Sequence, residues 1–235
     1  MRLDKYITEK FDIQSRNKAS ELIKAGKVLV NNKLIKKTSY DIVGDEQITL
    51  NEEEFLVSRS AYKLKYFLED NNIKVKDKIA IDIGSSTGGF TQILLNNNTK
   101  QVTCVDVGTN QLHSSIKNDP RIIIAENTDI RKFNSSTKYE LITCDVSFIS
   151  ILNILDDINR LSSKEIIILY KPQFEVGKDV KRDNNGVVLD TKAMKVEREN
   201  FLQETEKLNW KLQIANESKL AGKSGNIEEL FYFTK

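Results

Sequence analysis

Apolar positions along this chain follow two different rhythms. Near the start, Leu3, Tyr6, Ile7 and Phe11 share one helical face, and Ala19, Leu22 and Ile23 form the stripe of a second helix. Ser15 is placed to cap that helix, which runs from Arg16 to Ala25, and Gly26 stands where a left-handed residue would end it. Val28-Leu29-Val30 predicts a strand, Asn31-Asn32 a turn, and Leu34-Ile35 a returning strand. Beyond residue 58 the rhythm changes. Leu64, Phe67 and Leu68 fall on one side of a helix over 61–69. Short apolar runs at 79–83, 102–107, 122–125, 141–145 and 166–170 predict strands, with helical spacing around 90–95, 111–116 and 151–161 between them. Strands alternating with helices predict an α/β unit whose parallel sheet is covered on both faces. Such sheets bind ligands beyond the carboxyl ends of their strands, at the topological switch point.

Between the two rhythms, residues 51–58 lack periodicity and carry three glutamates, which predicts a linker. Charge divides at nearly the same place. Residues 1–40 hold ten Lys/Arg against four Asp/Glu, an excess of six positive charges, so a net charge of +2 hides an acidic remainder. A basic module is a candidate polyanion binder. Arg2, Lys5, Arg16, Lys18, Lys24 and Lys27 are the cations expected on the surface of its helix pair. No apolar run approaches the ~18 residues of a membrane span, and the first residues lack the apolar core of a signal peptide, so a cytoplasmic protein without a membrane partner is expected. Cys104 and Cys144 lie in apolar runs without ligand spacing and read as reduced core residues. With His113 the one histidine, expected on a solvated helix, neither a Ser-His-Asp triad nor a histidine metal site is expected. Any general base would be Lys, Asp or Glu.

The candidate chemistry gathers at the strand ends. Asp82-Ile83-Gly84-Ser85-Ser86-Thr87-Gly88-Gly89-Phe90 follows an apolar β-prone run and opens a helix. Glycines permit positive φ and close backbone approach, and free N–H groups at a helix start face a ligand. The spacing matches neither G-x-G-x-x-G nor a P-loop. Asp82, Asp106 and Asp145 end strand candidates, and Asp129 follows another. Asp106 lies 22 residues after Gly84, the usual interval for an acid that accepts from ribose hydroxyls, and Asp129 is placed to meet an adenine edge.

Arg2-Leu3-Asp4-Lys5-Tyr6, Ser15-Arg16 and Ala25-Gly26-Lys27-Val28-Leu29-Val30-Asn31 together resemble an S4 domain, a small α+β module that contacts structured RNA through phosphates and shape. The remainder resembles the class I, Rossmann-like methyltransferases and, within them, the FtsJ-type ribose 2′-O-methyltransferases. That likeness implies a mostly parallel seven-stranded sheet, S-adenosylmethionine as cofactor, and a catalytic Lys-Asp-Lys-Glu tetrad. By motif the tetrad falls on Lys63, Asp145 (in Cys144-Asp145-Val146-Ser147-Phe148-Ile149), Lys171 (in Lys171-Pro172-Gln173-Phe174-Glu175) and Glu228, with Glu229 adjacent as the alternative. The implied cofactor residues are Asp82, Gly84, Ser85, Ser86, Thr87, Gly88, Gly89, Phe90, Asp106, Val107, Asp129 and Asp145. The expected division is an S4 domain over 1–50, the linker over 51–58 and the methyltransferase domain over 59–235.

The combination is similar to the TlyA family, rRNA cytidine-2′-O-methyltransferases long named haemolysins. This implies rRNA of the large ribosomal subunit as partner, with 16S rRNA a further substrate in longer members, and a link to capreomycin susceptibility. A ribose hydroxyl is a poor nucleophile at neutral pH and needs a positioned base, for which Lys171 is the candidate. Desolvation and Lys63 would favour its neutral form, while Asp145 and Glu228 would oppose it. The basic segment 177–185 is expected as a mobile loop over the substrate. Base methylation is disfavoured, since the chain has neither a Pro-Cys nucleophile nor an Asn/Asp-Pro-Pro-aromatic turn. A membrane-lytic protein would need an apolar or strongly amphipathic segment that the pattern does not offer. A non-catalytic RNA-binding or assembly factor would not need all four tetrad types.

Overall fold

The structure is a computed structural model describing all residues except 12, 14, 25, 32 and 51–55. The chain forms two compact units, Met1–Phe55 and Leu56–Lys235.

In the first unit, α1 (Leu3–Lys10) and α2 (Arg16–Lys24) pack on a sheet of β1 (Val28–Val30), β2 (Lys33–Leu34) and β3 (Ile48–Leu50). The strand order is β2-β1-β3 and every pairing is antiparallel. The helical stripe residues Leu3, Ile7, Ala19 and Ile23 close over Val28, Val30 and Ile42. Ser15 Oγ accepts from Lys18 N at 3.2 Å. Gly26 has φ +76°, and the N–H groups of Gly26 and Lys27 reach back to the carbonyls of Ile23 and Leu22. This Schellman closure needs a left-handed residue. Strand β3 was not expected, because a three-residue run carries no periodicity of its own. Ala25 and Asn32 lie outside the described residues.

The second unit runs α3 (Arg59–Asp70), β4 (Ile79–Ile83), α4 (Gly89–Asn96), β5 (Gln101–Val105), α5 (Ser114–Lys117), β6 (Ile122–Ala125) and β7 (Tyr139–Cys144). It continues with α6 (Leu155–Leu161), β8 (Ser162–Tyr170), α7 (Pro172–Glu175), α8 (Thr191–Lys207), β9 (Lys211–Glu217) and β10 (Glu229–Thr234). The sheet order is β6-β5-β4-β7-β8-β10-β9, parallel except that β10 is antiparallel to both its neighbours. This is the seven-stranded, Rossmann-like methyltransferase architecture. The chain leaves β4 outward through β5 and β6 and returns to β7 on the other side, so the switch point lies between β4 and β7.

Successive residues of a strand point to opposite faces. Ile81, Ile142, Ile166, Phe231 and Phe233 therefore join one core with Phe201 of α8, while Ala80, Leu141, Ile167 and Leu230 join the other with Leu64 of α3 and Leu94 of α4. Both faces are buried, which explains why these strands read as unbroken apolar runs. Cys104 and Cys144 are buried free thiols, and burial pushes the Cys104 thiol up to about 12. Among the described residues no helix is long and apolar enough to cross a membrane.

Several boundaries differ from expectation. Strands β5 and β7 stop at Val105 and Cys144, which leaves Asp106 and Asp145 just beyond their ends. The helix expected over 111–116 starts only at Ser114, because the Glu126 carboxylate captures the N–H groups of Asn110, Gln111 and Leu112 at 2.5–3.1 Å. His113 caps this short helix, its ring accepting from Ser115 N. Of the expected linker, 51–55 lies outside the described residues. Val57 N donates to Gln92 Oε1 and Ser58 caps α3, so these two belong structurally to the second unit.

Candidate active site

The glycine loop joins β4 to α4 at the switch point. Gly84 has φ +76°, and a Cβ there would lie 2.8 Å from the Asp145 carbonyl oxygen. The loop thus passes against the end of β7 with no room for a side chain. Gly88 caps α4 at φ +89°, where a Cβ would overlap Ile116. Gly89 sits against the Ser58 and Ser60 hydroxyls at the start of α3. Gly88 and Gly89 are not among the residues lining the two cavities at this edge; both allow close packing behind the loop.

Asp82 lies inside β4 and is fully buried. Its Oδ2 accepts from Thr91 N at 3.0 Å and Thr91 Oγ1 at 2.7 Å, and its Oδ1 from Thr143 Oγ1 at 2.8 Å. The carboxyl therefore ties β4, α4 and β7 together. Burial raises it to about 6, against the opposing pull of the two threonines.

Two cavities open at this edge and share Gly84, Ser86, Asp145 and Ser147. The smaller, about 160 Å³, is lined by hydroxyls from Ser58, Ser60, Ser85, Ser86 and Thr87, with Phe90, Asp82 and Lys171 completing it. Ser85 Oγ is buried and has no hydrogen-bond partner among the described residues. The larger, about 580 Å³, carries Asp106, Val107, Gln111, Thr128 and Asp129. Asp106 accepts from Ser86 N at 2.8 Å and Gly108 N at 2.7 Å, bracing both loops of that cavity. Asp129 is held down at about 2 by hydrogen bonds from the Arg131 side chain and backbone. Glu126, which shapes the 110–112 loop, escaped the sequence reading because nothing local marks a carboxylate that binds backbone sixteen residues earlier.

Of the four tetrad positions, Asp145 and Lys171 meet at the smaller cavity, while Lys63 lines a separate cavity of about 250 Å³ with Tyr66, Asp70 and Lys219. Asp145 follows β7 and Lys171 follows the adjacent parallel β8; Lys171 Nζ lies 2.5 Å from Asp145 Oδ1 and donates to Ser147 Oγ at 2.9 Å. Because Glu229 pairs with Tyr170 across the antiparallel ladder, Glu228 falls beside the end of β8. Its Oε2 accepts from Lys63 Nζ on α3, both residues being buried. Glu229 points elsewhere and pairs with Arg198 at 2.9 Å. Two buried ion pairs thus stand side by side at the strand ends.

Phe148, which the sequence marks only as part of the Asp145 motif, is set apart by its geometry. It is 92 % exposed, adopts φ +67°, and packs on Phe174 with centroids 5.3 Å apart at the rim of the larger cavity. A bulky residue in the left-handed region is a genuine outlier. In the segment 177–185, expected as a mobile loop, the Arg182 guanidinium donates to the carbonyls of Gln173, Val176, Gly177, Lys178 and Val180. Arg182 braces the loop from inside, while Lys178 remains at its surface.

In the first unit, the nearly buried Asp4 carboxylate accepts from Arg2 Nε and Nη2 at 3.1 and 2.8 Å and from Arg16 Nη2 at 3.0 Å. Arg2 and Arg16 are each at least half exposed, so one carboxylate sets two guanidiniums side by side at the surface. Lys5 and Lys18 pair with Glu9 and Glu21 on their own helices, Lys24 is exposed, and Lys27 is half-buried ahead of β1. Among the described residues no group of acids, histidines and cysteines could hold a metal ion.

Comparison with known proteins adds relatives to this geometry. Residues 56–235 match the FtsJ-like methyltransferase model and residues 1–48 the S4 domain model. The chain is 47% identical to a 23S rRNA (cytidine-2′-O)-methyltransferase TlyA of Campylobacter jejuni, over the full length of both. It is 34% identical to a 16S/23S rRNA (cytidine-2′-O)-methyltransferase TlyA of Mycobacterium tuberculosis, covering 97% of this chain and 87% of that one. A solved structure of a hemolysin-named protein from Streptococcus thermophilus superposes with a TM-score of 0.72 at 31% identity, covering 100% of this chain and 88% of that chain.

Proposed function

Since the chain belongs to the TlyA family of S4-bearing, FtsJ-like methyltransferases, we propose that it transfers a methyl group from S-adenosylmethionine to the ribose 2′-hydroxyl of a cytidine in 23S rRNA. The observation that carries this reading is the Lys171–Asp145 ion pair at the wall common to both cavities, with the buried Lys63–Glu228 pair beside the end of β8.

The joined cavities fit the cofactor. The larger offers Asp106 for ribose hydroxyls and Val107, Gln111 and Asp129 around an adenine. The smaller lies at the N-terminus of α4, where hydroxyl-bearing side chains and the unpartnered Ser85 Oγ suit a carboxylate and ammonium. S-adenosylmethionine supplies there an electrophilic methyl on a sulfonium. Gly84 keeps the loop close to Asp145, which pairs with Lys171 at the smaller cavity where that methyl would be held.

Asp145 and Ser147 fix the direction of Lys171 Nζ, and Glu228 does the same for Lys63. Lys171 in its amine form takes the 2′-hydroxyl proton as the oxygen begins to bond to carbon, when that proton is most acidic. Holding hydroxyl and base in line replaces a bimolecular encounter with an oriented one. Phe148 gives the target cytosine a stacking surface at the rim, and the Arg2–Arg16 pair gives the first unit a phosphate contact.

The test is methyl transfer from radiolabelled S-adenosylmethionine to ribosomal subunits from a strain lacking this gene, with the position mapped by reverse transcription at limiting nucleotide. Label on a 23S cytidine is expected. Cofactor binding without label on either subunit would replace this reading with an RNA-binding or assembly role.

A further inference from the structure

The two ion pairs of the site are carried by different layers. Lys171–Asp145 spans the ends of β7 and β8, whereas Lys63–Glu228 spans α3 and the lead into β10. One side chain from the Lys171 segment reaches the second pair. Gln173 stands two residues beyond Lys171 in α7, and its Nε2 donates to Glu228 Oε1 at 3.1 Å while Glu228 Oε2 holds Lys63. The reverse amide orientation would set oxygen against carboxylate, so charge fixes the direction. In this direction Gln173 Oε1 is buried without a hydrogen-bond partner among the described residues. That costs stability, and an apolar side chain of equal size would avoid it.

The backbone bearing this amide is braced on both sides. Arg182 donates to the Gln173 carbonyl, and Glu175, two residues on, accepts from Ser150 Oγ at 2.6 Å and from Ile151 N. Glu228 is crowded into place as well, since a Cβ on Gly222 would lie 2.5 Å from its Oε1.

We infer that Gln173 is a positioning residue that couples the two ion pairs, holding Glu228, and through it Lys63, in register with Lys171. This rests on reading the site as a 2′-O-methyltransferase. Removing the amide leaves one oxygen of a buried carboxylate unpaired, and the carboxylate and Lys63 then turn to find other partners.

Gln173→Leu, Glu228→Gln and the double variant decide the matter by single-turnover methyl transfer at saturating RNA and cofactor. Gln173→Leu is expected to slow transfer about tenfold, a lost hydrogen bond to a charged group, with cofactor and RNA affinities within about twofold. The double variant is expected to be no slower than Glu228→Gln alone. Losses that multiply, or a Gln173→Leu rate equal to wild type, overturn the inference.

A second readout needs no turnover. Reductive methylation of Lys63, followed by peptide mass spectrometry, should quicken in Gln173→Leu, and unchanged labelling overturns the inference. A wild-type protein that transfers no methyl to rRNA would instead overturn the reading of the site, and the labelling result would still stand. If Gln173→Leu does not fold, Gln173→Glu takes its place. Its facing carboxylates fit only when they share a proton, so its rate relative to wild type should recover from pH 8.5 to pH 6 (about 2.5 units). A flat ratio would overturn the inference.

Discussion

Lys171 Nζ stands 2.5 Å from Asp145 Oδ1 at the ends of neighbouring parallel strands, and the same ammonium donates to Ser147 Oγ. Both partners aim Lys171 at the wall shared by the two cavities, and neither needs Lys171 to hold the glycine loop in place. Lys171→Ala should therefore abolish methyl transfer while leaving S-adenosylmethionine affinity within about threefold, the signature of a group that acts in the transition state. Calorimetric cofactor titration alongside single-turnover transfer reads both. Unchanged activity would remove Lys171 from the role of base.

Gly84 is required by two independent constraints, φ of +76° and the Asp145 carbonyl 2.8 Å from any added Cβ. The contact is with backbone, which cannot rotate away. Gly84→Ala must push the loop off the end of β7, opening the very junction at which the cavities meet. Cofactor affinity is expected to fall at least tenfold, about 1.4 kcal/mol, with a smaller loss of thermal stability. Affinity equal to wild type would show that the loop yields without cost.

Asp82 makes a prediction with a definite sign. Its buried carboxyl is raised to about 6 from an ordinary value of 3.8. As pH rises the unfolded chain loses this proton first, so the protonated folded state loses stability between pH 4 and 6 (about 4 to 6). Asp82→Asn removes that dependence. Urea unfolding of both proteins should show the variant gaining on wild type over this window and holding level above it. A difference independent of pH would mean that Asp82 is ionised throughout, with Thr91 and Thr143 outweighing burial.

How much of this was open to a reader of the sequence depended on distance along the chain. The strand at Ile79–Ile83, the Ser15 cap and the Gly26 stop are local and were legible as pattern. The parallel sheet followed from alternation, but its last part did not: α8 buries Phe201 and Thr205 within a mostly polar helix, and β9 at the sheet edge exposes most of its residues. The tetrad types were legible only through family motifs, since Lys63 and Glu228 meet across 165 positions. Asp82 looks in sequence like the other strand-end acids. Only the fold shows that two threonines, nine and sixty-one residues away, take both of its oxygens. Phe148 was invisible as an outlier because φ is not a property of composition.

Asp4 offers a case in which charge and geometry predict opposite results. Hydrogen bonds from Arg2, then Arg16, hold its carboxyl down at about 2, so it is ionised wherever the protein is folded. Asp4→Asn raises the net charge of the chain, and net charge alone would tighten binding to RNA. The structure argues the reverse. The carboxylate holds two exposed guanidiniums side by side, and freeing them makes each pay side-chain entropy to meet a phosphate. Binding of the full chain to rRNA should weaken roughly fivefold, and the slope of log affinity against log salt should become shallower by about one phosphate contact. Filter binding over a salt series measures both. Tighter binding with an unchanged slope would mean that Arg2 and Arg16 reach phosphate as free charges, and that Asp4 serves only to offset them.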